Sequence, residues 1–239
     1  MTYGTPVRWA WFDRGMNEHP KVPSLPGLRV SYDKGSLAQD ELAATPLEQF
    51  RAWLSEAVAA ELPEPNAMVL ATAGVDGQPS ARTVLLKEAD SRGFVFFTNH
   101  GSRKGLELAA NPRASLVFPW FALHRQVVVV GQVEHVSAAE TAAYFGVRPR
   151  ASQLGAWTSR QSQVITDRVG LETRYDDLAA RWPDAVPVPD FWGGYLIRPV
   201  SIEFWVGRRD RLHDRLRYSA ATPGPLDDPQ HYSVERLSP

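Results

Sequence analysis

The sequence predicts a mainly β domain with helices packed around it, built on a closed antiparallel barrel of about six strands. Three observations carry that expectation. Short β-branched and aromatic runs follow one another from residue 67 to residue 136, separated by turn signals such as Asp76-Gly77. Capping-box patterns at Thr45-Pro46-Leu47-Glu48 and Ser137-Ala138-Ala139-Glu140 place helices on either side of those runs. Strand-type sequence then resumes from Tyr195 to Leu237, which argues for one domain rather than two.

Taken in order, residues 1–27 carry Pro6, Pro20, Pro23 and Pro26, no hydrophobic period, and a cluster of Trp9, Trp11 and Phe12. They read as a flexible arm whose aromatics dock on a partner surface, leaving 28–239 as the single domain. Residues 28–32 fit no element clearly, and 33–36 form a turn. From Thr45, Leu47, Phe50, Leu54, Ala57 and Val58 recur at helical spacing until Pro63. Strands are expected at 68–72, 80–87 and 93–98, the last two paired as a hairpin through the turn at 89–93. Ser102 caps a short helix that stops at Asn111, before Pro112. Strands at 114–119 and 125–136 follow, the second rich in valine. The second capping box opens a helix through Tyr144 and Phe145, and another helix spans about 167–181. The last strands fall at 195–206, 211–218 and 232–237, with a flexible proline-bearing loop at 220–230.

Bulk properties exclude several function classes. The 239 residues carry a formal net charge of −1, so no global field draws nucleic acid or an anionic membrane, and any anion site must be local. The absence of cysteine excludes disulfides and thiolate chemistry, and the six histidines lack metal-binding spacing. With no long apolar run and no basic-then-apolar leader, a cytoplasmic protein is expected.

Three cationic constellations stand out. Arg82 and Lys87 precede Thr98, and Arg103-Lys104 open the helix capped by Ser102. Cations in a first helical turn oppose the helix dipole unless an anion such as phosphate lies beside them. Tyr144 and Arg148 are four apart and share a face if the helix persists; with Ser152 they form a donor set suited to a phosphate monoester. Arg211, His213 and Arg215 alternate along an expected strand and so share one face, near Trp205, which could stack on a planar ring. Each group also has a plain structural reading, as solvated cations or packed aromatics. Together they point to a barrel binding flat, phosphorylated ligands, and name no reaction.

The chain resembles the pyridoxine (pyridoxamine) 5′-phosphate oxidase family from about Leu28 to its end. The carrying motifs are Arg82-Thr83-Val84-Leu85-Leu86-Lys87, Gly101-Ser102-Arg103-Lys104, Phe118-Pro119-Trp120, Phe191-Trp192-Gly193-Gly194 and Arg211-Leu212-His213-Asp214-Arg215. The resemblance implies an FMN-binding split β-barrel of Greek-key type, working as a homodimer with FMN at the subunit interface. It assigns FMN contacts to Arg82, Thr83, Val84, Leu85 and Lys87, to Phe97, Thr98, Arg103 and Lys104, and to Gln126, Gln161, Ser162, Trp205 and Arg215. Lys87, Tyr144, Arg148 and Ser152 would take the substrate phosphate. Arg211 and His213 would hold the pyridine ring as the catalytic pair, with Arg29 and Tyr32 as a lid. The implied reaction converts pyridoxine or pyridoxamine 5′-phosphate to pyridoxal 5′-phosphate, hydride passing from C4′ to flavin N5 and dioxygen leaving as hydrogen peroxide. No metal, nucleic acid or membrane partner is implied.

Two departures sit near the expected flavin: Phe97 where a tyrosine is common, and Val206 in place of a usual glutamine. A related barrel flavoenzyme acting on another ring, such as a phenazine precursor, is the alternative within the enzyme class. A non-catalytic flavin- or B6-phosphate-binding barrel is the alternative outside it.

Overall fold

Strand β7 (Trp192–Val206) is the spine of the molecule. It pairs along its length with β6 (Arg125–His135), by its first half with β4 (Gly93–Asn99), and by its second half with β8 (Asp214–Ser219). β7 carries an extra residue, Val200, in a bulge opposite Val130 and Gly131 of β6, between the half that pairs with β4 and the half that pairs with β8. A Cβ on Gly131 would lie 2.4 Å from the Arg198 carbonyl oxygen, so only glycine allows that approach. This computed structural model describes residues 24–28, 31–33 and 35–239. The aromatic cluster at 9–12 and Arg29 therefore lie outside the described residues.

The sheet runs in the order β2-β1-β5-β6-β7-β4-β3, where β1 is Ala67–Ala73, β2 Pro79–Leu85, β3 Glu88–Asp90 and β5 Arg113–Trp120. Its two ends are covalent neighbours, since only Leu86 and Lys87 separate β2 from β3. Leu86 N–H donates to Asn66 at 2.9 Å and Lys87 N–H to Val95 at 2.8 Å, so the ring closes through one bent strand. β8 and β9 (Ser233–Arg236) extend the sheet outside it. This is a split barrel.

Three local expectations change. Residues 80–85 pair with β1, through the turn where Gly77 has φ +74°, and the second hairpin is the short β3–β4 unit. Arg211 falls in a 3₁₀ turn (Arg209–Arg211) and β8 starts only at Asp214, so Arg211, His213 and Arg215 do not alternate along one strand. The loop at 220–230 is docked: Leu226 is fully buried, its N–H donates to Ser91 and its carbonyl accepts from Leu47.

Helix α1 (Pro46–Ala59), capped by Thr45, closes one end of the barrel. Its Phe50 meets Phe94 edge-on at 4.9 Å and its Trp53 meets Phe204 at 5.0 Å. Helix α2 (Arg103–Ala110) packs beside β1. A second apolar cluster joins α3 (Ala138–Val147), α4 (Arg150–Thr158) and α5 (Val169–Arg181) around Phe145, Leu154, Val186 and Trp192. Sequence periodicity misses α4 because it buries only Leu154 and Thr158 and opens on Pro149. Before Tyr32, Leu28 N–H closes a 3₁₀ turn (Leu25–Gly27) by donating to the Leu25 carbonyl. No helix among the described residues is long and apolar enough to cross a membrane.

Candidate functional site

A cleft of about 990 Å³ opens where β2, β4 and α2 face α3 and α4. β2 supplies Arg82, Thr83, Val84 and Leu85, and the bend after it supplies Lys87. β4 supplies Phe97 and Thr98, and the first turn of α2 supplies Arg103 and Lys104. Tyr144 on α3, Arg148 at its end, Ser152 on α4, and Gln161 and Ser162 beyond it complete the wall. Elements far apart in sequence thus deliver the first two cationic constellations to one place.

At α2 the local chemistry is tight. Ser102 is fully buried and caps the helix, accepting from Gly105 N–H. Gly105 is obligatory, because a Cβ there would lie 2.1 Å from the His100 carbonyl oxygen. Lys104 is only 6% exposed, and its Nζ donates to Thr98 Oγ1 at 3.1 Å, Gln161 Oε1 at 3.2 Å and Ser102 Oγ at 3.4 Å. No carboxylate among the described residues forms an ion pair with it. Burial, then the charge of Arg82, pushes the Lys104 pKa down. An anion in the cleft would favour the ammonium form.

Beside these cations lies a half-buried carboxylate. Glu107 Oε2 accepts from Thr72 Oγ1 at 2.5 Å, Ser80 Oγ at 2.6 Å and Arg82 Nη2 at 3.3 Å, while Oε1 accepts from Arg103 Nε at 2.8 Å. Burial pushes the Glu107 carboxyl up, yet the hydrogen bonds from Ser80, Thr72, Arg103 and Arg82 outweigh it and hold its pKa at about 2. Sequence reading passed over Glu107. The available signal was its spacing of four from Arg103 on a helix.

An aromatic stack joins β4, α3 and β7 at the cleft. Phe97 lies 4.1 Å from Tyr144 and 5.4 Å from Trp192, ring planes within 23°. The Arg148 guanidinium sits over Trp192 at 4.7 Å, and its Nη1 is buried without a protein partner. Lys87 Nζ lies 5.9 Å from the Tyr144 ring. α3 ends at Val147, so Arg148 is the extended C-cap rather than a helical neighbour of Tyr144, yet both line the cleft. Gln153 holds that chain end by donating to the Phe145 and Arg148 carbonyls at 2.9 and 3.1 Å. Trp192 was missed as a site residue because a lone tryptophan reads as core.

The third constellation lies elsewhere. Strand register sets Gln126 opposite Trp205, and Trp205 opposite Arg215, in one row across β6, β7 and β8. Arg215 forms a two-pronged pair with Glu203 at 2.7 and 3.0 Å. The His213 ring packs 4.6 Å from Trp205, and its Nδ1 accepts from Arg208 N–H at 3.1 Å, which fixes the tautomer with hydrogen on Nε2. Tyr32 meets His124, His213 and Trp205 edge-on at 4.9, 5.7 and 5.8 Å. Arg211 holds φ +64°, in the left-handed region that non-glycine residues avoid. None of Tyr32, Gln126, Trp205, Arg211, His213 and Arg215 lines the cleft of the same chain.

Residues 54–181 match the family model described as pyridoxamine 5′-phosphate oxidase, and 192–239 match the pyridoxine 5′-phosphate oxidase C-terminal dimerisation region. The pyridoxine/pyridoxamine 5′-phosphate oxidase of Frankia alni is 54% identical, over 93% of this chain and 92% of the relative. That of Bordetella pertussis is 55% identical, over 90% of this chain and all of the relative. Among solved structures, PhzG from Burkholderia lata 383, in complex with tetrahydrophenazine-1-carboxylic acid, superposes with a TM-score of 0.76 at 32% identity, covering 84% of this chain and 95% of that one. A pyridoxamine 5′-phosphate oxidase-related, FMN-binding protein from Nostoc punctiforme shares the fold, with a TM-score of 0.62 at 19% identity, over 86% of this chain and all of that one. With two family models covering its barrel and its C-terminal strands, and relatives identical at more than half their positions, this chain belongs to the pyridoxamine 5′-phosphate oxidase family.

Proposed function

We propose that the chain is an FMN-dependent oxidase that converts pyridoxine 5′-phosphate, pyridoxamine 5′-phosphate or both to pyridoxal 5′-phosphate. The observation that carries this reading is the donor chemistry of the cleft. Buried Lys104 with no carboxylate partner, and buried Arg148 Nη1 with no protein partner, are two separate cationic groups in want of an anion. They sit on different elements of one cleft, α2 and the end of α3, and the Tyr144–Phe97–Trp192 stack lines it. Two phosphorylated, flat molecules match that set, and one phosphate alone would leave a cation unanswered.

Arg103, Lys104, Thr98, Gln161 and Ser162 would hold the FMN, and Lys87, Tyr144, Arg148 and Ser152 the substrate phosphate. FMN, when bound, supplies the two-electron acceptor for oxidation at C4′ and returns the electrons to dioxygen as hydrogen peroxide. The chain's part is to bind both phosphates, orient the substrate ring and exclude water. Arg211 and His213 would face that ring, His213 as a neutral hydrogen-bonding imidazole, since burial and then the charge of Arg211 lower its pKa. Because neither residue lines the cleft of its own chain, the site would be completed across a homodimer, in keeping with the matched dimerisation region. Residues 28–239 would be the working domain, with 1–27 as an accessory arm.

The test is direct. Purified protein should carry a flavin absorption spectrum and release peroxide with pyridoxine or pyridoxamine 5′-phosphate, but far more slowly with unphosphorylated pyridoxine. Bound flavin with no peroxide from either phosphate ester would overturn the reading. Turnover of tetrahydrophenazine-1-carboxylic acid instead would favour a barrel flavoenzyme acting on a phenazine precursor, the reading that the 32% identity with PhzG supports.

A further inference from the structure

We propose that Glu107 is a positioning residue that aims Arg103 at the phosphate of the ligand held at the start of α2. This rests on the cofactor reading above and goes beyond it, because Glu107 itself need touch no ligand.

The four bonds to Glu107 divide its work. Oε2 receives the hydroxyl protons of Thr72 and Ser80. Each hydroxyl has one proton, so committing it to Glu107 turns its lone pairs to the Arg82 fork, and both hydroxyls accept from Arg82. Arg82 also donates to the Leu70 carbonyl, so both of its Nη groups are spent inside the protein. Arg82 is therefore the counter-charge that holds Glu107 in place. Oε1 takes only the Nε–H of Arg103, which leaves both Nη groups of Arg103 in the cleft wall for a ligand. The Arg103 side chain is 60% exposed, whereas that of Glu107 is 12% exposed. A long exposed side chain anchored at Nε to a fixed carboxylate loses less freedom when its fork closes on phosphate.

Glu107→Gln tests this with little change in shape. Its one oxygen can serve Thr72 and Ser80 or Arg103, and the amide N–H₂ would oppose the Arg103 N–H. Simple electrostatics and positioning then predict opposite signs. Removing a negative charge near a phosphate should tighten phosphate binding, whereas losing the anchor should weaken it.

Flavin-depleted protein would be titrated with FMN and with riboflavin, which lacks the phosphate, by quenching of flavin fluorescence. The expected result is an FMN Kd raised about 5- to 10-fold in Glu107→Gln, as for loss of one preorganised charged contact, with the riboflavin Kd unchanged. In an Arg103→Gln background the same substitution should have no further effect on FMN. An unchanged or lower FMN Kd overturns the proposal, as do equal losses for both flavins or additive losses in the double variant. If the wild-type chain fails to prefer FMN over riboflavin, the cofactor reading itself falls. That outcome is visible before any variant is made.

Discussion

At the scale of single residues, the cleft pairs ordinary groups with unusual surroundings. Arg148 is half-buried and stacked on Trp192, and its buried Nη1 has no protein partner, so its guanidinium is prepared for an anion rather than satisfied by the protein. Arg148→Lys keeps the charge but loses the stacked fork. It should raise KM for the phosphorylated substrate by about 10- to 100-fold with a smaller effect on kcat, in steady-state peroxide assays. Arg211 presents the opposite case, a side chain carried on strained backbone beside Asp210, which is also left-handed at φ +57°. Replacing Arg211 by glycine should relieve about 1 kcal/mol of strain and raise the melting temperature, while kcat falls at least about tenfold with flavin still bound. An unchanged rate would remove Arg211 from the catalytic pair.

At the scale of elements, α2 shows how a short helix is made to hold cations at its positive end. Ser102 caps it, Gly105 lets the preceding loop close on it, and Glu107, one turn in, gathers Arg103 and Arg82. That carboxyl sits near 2 in the fold against an ordinary 4.5. Above 4.5 it is ionised in both states and its contribution to stability is complete. As pH falls from 4.5 towards 2 the unfolded chain takes up a proton that the folded chain refuses, so stability is lost on the acid side. Calorimetric melting between pH 5 and pH 2 should therefore show a shallower acid slope in Glu107→Gln than in the wild-type chain. Ser102→Ala, which leaves the Gly105 N–H and the Lys104 Nζ each short of a partner in a buried setting, should cost about 1–2 kcal/mol in denaturant unfolding.

At the scale of the molecule, the divided placement of the site has a measurable consequence. The phosphate-binding residues line one cleft, while Arg211, His213 and Trp205 lie at the junction of β7 and β8, away from it. If a homodimer completes each site with residues of both subunits, two inactive variants can rescue one another. Arg148→Met and Arg211→Leu, each nearly inactive alone, should regain about a quarter of wild-type activity when refolded together, since half the dimers are mixed and one of the two sites in each is intact. No recovery, with mixed dimers verified by mass spectrometry, would place each complete site within one chain.

Much of this protein was determined by its sequence. Proline and glycine positions, three Ser/Thr caps and the β-branched runs are local signals, and among the described residues they located most strands and four of the five α-helices, because turn chemistry and periodicity act between near neighbours. The ordered motifs also named the family. Tertiary structure decided what local signals cannot carry. The pairing of β2 with β1 rather than β4 depends on the bend at Leu86 and Lys87 that closes the ring. Helix α4 forms by packing Leu154 into a cluster whose other members come from α3, the segment after α5 and β7. The 220–230 loop is ordered because Leu226 reaches the core. Glu107 gained its place only when β1, β2 and α2 came together, since a carboxylate holding two arginines and two hydroxyls is a property of three elements. The separation of Arg211 and His213 from the cleft likewise belongs to the path of β7, whose bulge lies between the half that pairs with β4 and the half that pairs with β8.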